Sequence, residues 1–450
     1  MSRKTIGRFS FGFQIVLWIG GIFHRLYYRK FSVVNRDRIP HDGPVIFAAN
    51  HQNALMDALA VIFSTRCQVV FLARADIFRK KYMARILYFL KILPVYRIRD
   101  GFHAVDQNNE VFPEIIGVLK RNRPAALFPE GNHLGEKRLR PLKKGAARLA
   151  LQAEEANDFT LGVSIVPVGL DYSNYYNAGS DLLVVFGNPI PASAYREEFL
   201  QNPARAVSLM TTDLATELRK VMLDIHSEEN YSVIHEAVKM YGPVELKRRK
   251  LRNNPYNLFL VKKELAENLM VKEKGLETLR EELASYHAKL PALGIREPQV
   301  KNPFPNPVSS ILKSIFIILL LPIHLYGMVL NYIPYSLPIF LAQNIKDRHF
   351  LGSVRFGAGL LLFFTWYLLL FITSIFIFHS IFYAAVFMVS VSLTGLCAFY
   401  NYRLMLKLRA DWRWIFLKYR NRSEFEGLIK QRERIMKEIF RLLNRTENSV

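Results

Sequence analysis

Hydrophobic positions in this chain follow three different rhythms. Between residues 31 and 240 they come in short runs of strand length: Val45–Ala49, Val69–Ala73, Ala125–Phe128, Ser164–Leu170 and Leu182–Phe186. Stretches of helical character separate them, near 53–64, 77–91, 108–121, 143–156 and 203–226. Such alternation predicts an α/β fold, a mostly parallel sheet flanked by helices. From 244 to 300 charges crowd in, while Leu265, Leu269, Leu276, Leu279, Leu283, Tyr286 and Leu290 recur at helical spacing. That pattern predicts an amphipathic helix or helical hairpin, packed on the α/β unit or on a membrane surface, with Pro298–Pro307 as a linker beyond it.

The third rhythm is the absence of one. From Phe356 to Tyr400 no residue carries a charge, and about 20 apolar residues suffice to span a bilayer as a helix. Two helices are predicted, near 356–378 and 381–400, with the turn at His379-Ser380. Ile311–Leu330 is a third candidate; Pro334 and Pro338 are expected to break it, leaving a short or re-entrant piece to Ala342. Positive charge favours the cytoplasm. An even number of crossings over 308–402 keeps the region before 310, the 346–355 loop and the basic tail 403–450 on that side. At the other end, Arg3, Lys4 and Arg8 precede an apolar stretch, Phe9–Phe23, with no small-residue cleavage site after it. Residues 1–30 therefore read as an uncleaved membrane-associated helix that spans the bilayer or lies in its interface.

Composition narrows the partners. Sixty-one Lys and Arg against 38 Asp and Glu give a net charge of +23 on 450 residues, yet 51% of the chain is hydrophobic. Disorder is excluded by that apolar content. The basic excess points to an anionic partner, nucleic acid or an acidic membrane. Basic residues do not interleave with aromatics on a recognisable nucleic-acid module, so a lipid bilayer is expected and nucleic acid is not. Cys67 and Cys397 lie too far apart for a disulfide framework or a metal knuckle. The reading is an integral membrane protein whose α/β unit, residues 31–240, faces the cytoplasm, joined through 241–307 to the membrane region.

Candidate chemistry gathers at strand ends, where α/β proteins place their sites. After Val45–Ala49 comes Asn50-His51-Gln52-Asn53-Ala54-Leu55-Met56-Asp57. A histidine with a carboxylate to orient it makes a general base, although Asn50 or Asp57 could equally cap a helix. No serine or cysteine elbow accompanies it, and no second histidine stands at metal-ligand spacing. After Ala125–Phe128 comes Pro129-Glu130-Gly131-Asn132-His133, a carboxylate and a glycine in a turn, with Lys137, Arg138, Arg140, Lys143 and Lys144 behind it and Gly145 opening the next helix. Basic side chains beside a helix N-terminus can hold phosphate. Lys137 and Arg138 read as a solvated charge run; Arg140, Lys143 and Lys144 are open to either role. Leu93-Pro94-Val95-Tyr96-Arg97 ends a further short strand, and Ile165-Val166-Pro167-Val168-Gly169 reads as architecture.

Together, in this order and spacing, these four pieces resemble the glycerol-phosphate and lysophosphatidate acyltransferase family over about half the chain. His51 and Asp57 match the family's histidine–aspartate motif, Arg97 its arginine motif, Phe128 to Gly131 its F-P-E-G motif, and Val166-Pro167 its V-P motif. Two features depart from the common pattern. Five residues rather than four separate His51 from Asp57, and Glu130-Gly131-Asn132-His133 replaces E-G-T-R. Both departures resemble the fungal-type branch of glycerol-3-phosphate and dihydroxyacetone-phosphate acyltransferases. The resemblance implies transfer of a fatty acyl group from acyl-CoA or acyl-carrier protein to sn-glycerol 3-phosphate, in phosphatidic acid synthesis, with no cofactor and no acyl-enzyme intermediate. In that scheme His51 and Asp57 are catalytic, and Arg97, Glu130, Gly131, Arg140, Lys143 and Lys144 bind the substrate. The alternatives are a lysophosphatidate or other lysophospholipid acceptor and, from another class, a catalytically inert membrane scaffold.

Overall fold

The computed structural model describes residues 6–96, 108–272, 275–302, 304, 306–343, 345 and 350–444. They form two compact units. The first comprises Met1–His226, Arg252–Lys263 and Ile345–Ser353, the second Ser227–Leu251, Glu264–Asn344 and Val354–Val450.

The first unit is built on an eight-stranded sheet. Its strands are β1 (Lys30–Val34), β2 (Val45–Ala49), β3 (Val70–Arg74), β4 (Ile92–Val95), β5 (Ala125–Leu127), β6 (Ser164–Tyr172), β7 (Asp181–Phe186) and β8 (Ile190–Pro191). The order is β1-β7-β6-β2-β5-β3-β4, with β8 beside β6. Pairing is parallel except for β6 with β7 and β6 with β8. All five residues of β2 are buried; a strand covered on both faces loses the apolar–polar alternation, which is why Val-Ile-Phe-Ala-Ala reads as a continuous run. Around the sheet lie α1 (Phe11–Tyr27), α2 (Ala54–Thr65), α3 (Lys81–Phe89), α4 (Asn108–Leu119), α5 (Gly145–Glu155) and α6 (Pro203–Val221). Helix α1 buries Phe13, Gly20 and His24 and exposes Phe11, Ile15, Trp18 and Ile22. The segment before it is tied down by buried Lys91, whose Nζ donates to the carbonyls of Ile6 and Arg8.

Register decides which side chains meet. Ala48 of β2 pairs with Leu127 of β5, so three residues further on the same edge the chain brings His51 beside Glu130. On the other flank Ala49 pairs with Val168 of β6, and β6 continues past it to Tyr172.

The second unit is helical among its described residues. It contains α7 (Tyr231–Arg248), most of the latter half of α8 (Pro255–Met270), α9 (Leu276–Ala292), α10 (Pro307–Leu319), α11 (Leu321–Gln343), α12 (Leu351–Phe378) from its second turn, α13 (Ile381–Arg420) and α14 (Arg422–Asn444). The leucine stripe of 265–290 is buried throughout. The cover of its α9 part is α7 and α14, reinforced by Lys289 on Gln431 at 3.1 Å. The basic tail thus supplies a partner for the amphipathic segment, a role the sequence pattern assigned to the α/β unit or a membrane surface.

Helices α11, α12 and α13 are long and apolar enough to cross a membrane. They are three candidates among the described residues. The prolines before and within them act otherwise than expected. The run 311–330 is split at Leu320, because Pro322 lacks an N–H and disfavours helix in the residue before it, while fitting the first turn of the following helix. Helix α10 is left with 13 residues. Conversely, α11 runs through Pro334 and Pro338, where a break was expected. Pro334 cannot donate to the carbonyl of Leu330, but Trp366 Nε1 does, at 2.7 Å; a helix in lipid tolerates proline where a neighbour satisfies the freed group. The turn at His379-Ser380 falls where expected, and α13 then continues as one helix to Arg420.

Candidate active site

His51 follows β2 on a tight loop, Asn50–Asn53, that leads into α2. Asn50 fixes the start of the loop, its amide bonding both the carbonyl and the N–H of Leu170 on β6. Ala54 then takes φ +43, a left-handed conformation that costs an L-residue about 1–2 kcal/mol. The bend lets Asp57, in the first turn of α2, face back across five intervening residues. Asp57 Oδ2 lies 2.8 Å from His51 Nδ1 and accepts the N–H groups of Gln52 and Asn53, both at 2.7 Å. Oδ1 accepts the hydroxyl of Tyr172 at 2.8 Å. Capping and orienting the histidine, posed by the sequence as alternatives, are performed by one carboxylate. With Nδ1 held by Asp57, Nε2 is the ring nitrogen available to take a proton.

The second strand end supplies the walls. Phe128 stacks on the His51 ring, centroids 4.1 Å apart and planes 12° from parallel, and His133 stands edge-on to it at 5.4 Å. Gly131 closes a turn onto Phe128 O at 3.0 Å with φ +74, a conformation that suits glycine. Glu130, 6% exposed, has both oxygens engaged: Oε1 by the His51 N–H at 2.8 Å, Oε2 by Arg140 Nε at 2.9 Å. Burial pushes its carboxyl above the usual range, opposed by the His51 N–H and the Arg140 guanidinium. Glu130 is therefore a hub between the histidine loop and Arg140. Arg140 Nη2 is buried and has no hydrogen-bond partner among the described residues, so one guanidinium donor waits for an acceptor.

The remaining basic residues divide. Lys143 is exposed, its N–H bonded to Pro129 O at 2.7 Å, which sets it beside the Glu130-Gly131 turn. Lys144 reaches away to Ser208 Oγ at 2.6 Å. Lys137 is buried rather than solvated; it pairs with Asp171 and donates to Tyr172 O. Arg97 lies outside the described residues. Among the described residues no three His, Cys, Asp or Glu side chains gather as a metal site.

Residues 30–171 match the acyltransferase family model. The chain carries an acyltransferase domain. Glycerol-3-phosphate O-acyltransferase 2 of Saccharomyces cerevisiae is 30% identical over 141 residues, 31% of this chain and 19% of that protein. 1-Acyl-sn-glycerol-3-phosphate acyltransferase of Borreliella burgdorferi is 31% identical over 165 residues, 36% of this chain and 57% of that one. The matches thus span about a fifth and somewhat over half of these relatives. The crystal structure of the 1-acyl-sn-glycerophosphate acyltransferase of Thermotoga maritima aligns over 45% of this chain and 79% of its own at 19% identity, with a TM-score of 0.30.

Within the acyltransferase domain the sequence pattern marked His51, Asp57, Glu130 and Arg140, and the sheet register brings all four together. Tyr172 escaped notice because no local motif marks it; its place at the end of β6 and its bond to Asp57 exist only in the fold.

Proposed function

We propose that the chain transfers a fatty acyl group from an acyl thioester, acyl-CoA or acyl-carrier protein, to the hydroxyl of sn-glycerol 3-phosphate or dihydroxyacetone phosphate, on the cytoplasmic face of a membrane. The observation that carries this reading is the His51–Asp57 pair standing beside a buried Arg140 donor with no acceptor of its own. A general base and an anion-binding group within one small site suit an acceptor that bears both a hydroxyl and a phosphate. His51 Nε2 takes the hydroxyl proton as the oxygen attacks the thioester carbonyl. The tetrahedral intermediate collapses, the C–S bond breaks, and the imidazolium returns the proton to the departing thiolate. Asp57 stabilises the imidazolium and holds its tautomer, while proximity supplies much of the remaining acceleration. Arg140, Lys143 and, from the motif match, Arg97 hold the phosphate; Lys144 adds positive field. Both oxygens of Glu130 are occupied, so its part is to aim Arg140 and the His51 loop.

The test is acyl transfer by purified full-length protein from labelled acyl-CoA, with glycerol 3-phosphate and with lysophosphatidate offered separately. Faster transfer to glycerol 3-phosphate is expected, and His51→Ala should lower kcat by about 10²–10⁴-fold without releasing the protein from membranes. Preference for lysophosphatidate would shift the assignment to the activity named for the Borreliella relative. Substantial activity in His51→Ala would remove the mechanism.

A further inference from the structure

The first turn of a helix leaves backbone N–H groups without partners inside the helix, and α2 has a special need to settle them, since His51 and Asp57 flank its start. Asn53, at the N-cap, makes no side-chain capping bond. Asp57 takes the N–H groups of Gln52 and Asn53. The N–H of Leu55 is taken by Ser353 Oγ at 3.1 Å, from 298 positions further along the chain. Ser353 is buried. Next to it, a Cβ on Gly352 would lie 3.0 Å from Tyr175 O and 3.4 Å from Asn53 Oδ1, so the backbone at 352 rests directly on the histidine loop and its support; Asn53 Nδ2 donates to the same Tyr175 carbonyl at 3.1 Å. Two residues before that, Phe350 stands edge-on to His133, centroids 4.8 Å apart and planes at 88°, and His133 stands edge-on to His51. All these residues belong to the first unit, yet 350–353 lie far beyond the 30–171 match.

We propose that Phe350–Ser353 is a strap that completes the active-site loop, with Ser353 and Phe350 as positioning residues for the reaction proposed above, a role that rests on that reading. Ser353 caps α2 and so holds the turn that carries Asp57 against His51 Nδ1. Phe350 holds His133, and His133 in turn packs against the His51 ring. Neither touches the reacting atoms. Their effect falls on the fraction of enzyme in productive geometry, hence on kcat more than on KM.

Full-length Ser353→Ala, Ser353→Thr and Phe350→Ala proteins in lipid nanodiscs test this through two independent readouts, amide hydrogen exchange across 51–57 and the kcat and KM of acyl transfer. In Ser353→Ala, exchange at Leu55 should rise about fivefold, as for loss of one capping contact, and kcat should fall about tenfold as the loop loses its geometry, with each KM within about twofold of wild type. Threonine keeps the hydroxyl, so Ser353→Thr should restore both readouts. Should Ser353→Ala not fold, Phe350→Ala, which trims a partly exposed ring, carries the test through a lowered kcat and an altered pH profile. Wild-type exchange and kcat in Ser353→Ala, or an alanine defect that threonine does not repair, overturns the strap. If exchange responds as described while wild-type protein acylates no glycerol-phosphate acceptor, the strap stands and the acyltransferase reading falls.

Discussion

Asp57 accepts four hydrogen bonds, from His51, two loop N–H groups and Tyr172, so its orientation toward the imidazole is set by several elements together. Burial and the neighbouring Asp57 charge raise the Tyr172 phenol well above its usual range, keeping it a proton donor at every working pH. Tyr172→Phe should therefore lower kcat by about tenfold, the worth of one hydrogen bond to a charged group, with little change in acceptor KM, as steady-state kinetics would show. Arg140→Ala should instead raise the KM for the phosphate-bearing acceptor, since its free Nη2 is assigned to binding. Glu130 carries a pH signature. A carboxyl whose folded pKa lies above its unfolded value contributes stability below the unfolded pKa and loses it as pH rises through the folded one. Glu130→Gln should flatten that loss in thermal melts across the mildly acidic range while lowering activity, because Arg140 loses its charged partner.

At the scale of elements, β2 to β7 were legible because buried strands form compact apolar runs bounded by turns, and the turn at His379-Ser380 because it interrupts an otherwise featureless apolar run; β1, with no fully buried residue, and β8, two residues long, left no such run. Helices α10 and α11 were misjudged because a proline's effect depends on its surroundings: Pro322 starts a helix, while Pro334 sits inside one. The indole of Trp366 makes the difference. Trp366→Phe should destabilise the second unit by about 1–3 kcal/mol, the cost of an unsatisfied buried carbonyl. Adding Pro334→Ala restores a main-chain donor and should recover most of that loss, a non-additivity that denaturation of the single and double variants would measure. The crossing of α11 over α13 is equally constrained. A Cβ on Gly327 would lie 2.1 Å from Thr394 O, so Gly327→Leu should disrupt the pair.

Over the whole molecule, sequence reading reached the histidine, its carboxylate, Glu130 and, of the basic residues, Arg140 and Lys143, because these sit at or just past strand ends. It missed contacts made by residues distant in the chain, Tyr172 and the 350–353 segment, because pairwise register and tertiary docking leave no local periodicity. The net charge of +23 has a measurable counterpart. Between 0.1 M and 1 M salt the screening length shrinks from about 10 Å to about 3 Å, so the KM for a phosphate acceptor should rise while membrane retention, carried by apolar helices, should not change; kinetics and sedimentation at both salt concentrations would show this. The bond between Leu55 and Ser353 also bears on how the protein is made. Sheet, histidine and carboxylate are all synthesised before residue 227, but the hydroxyl that caps α2 arrives only after α10 and α11 have left the ribosome. Contacts between residues so far apart are slow to form, so a nascent chain holds an uncapped α2 start until those two helices have been made.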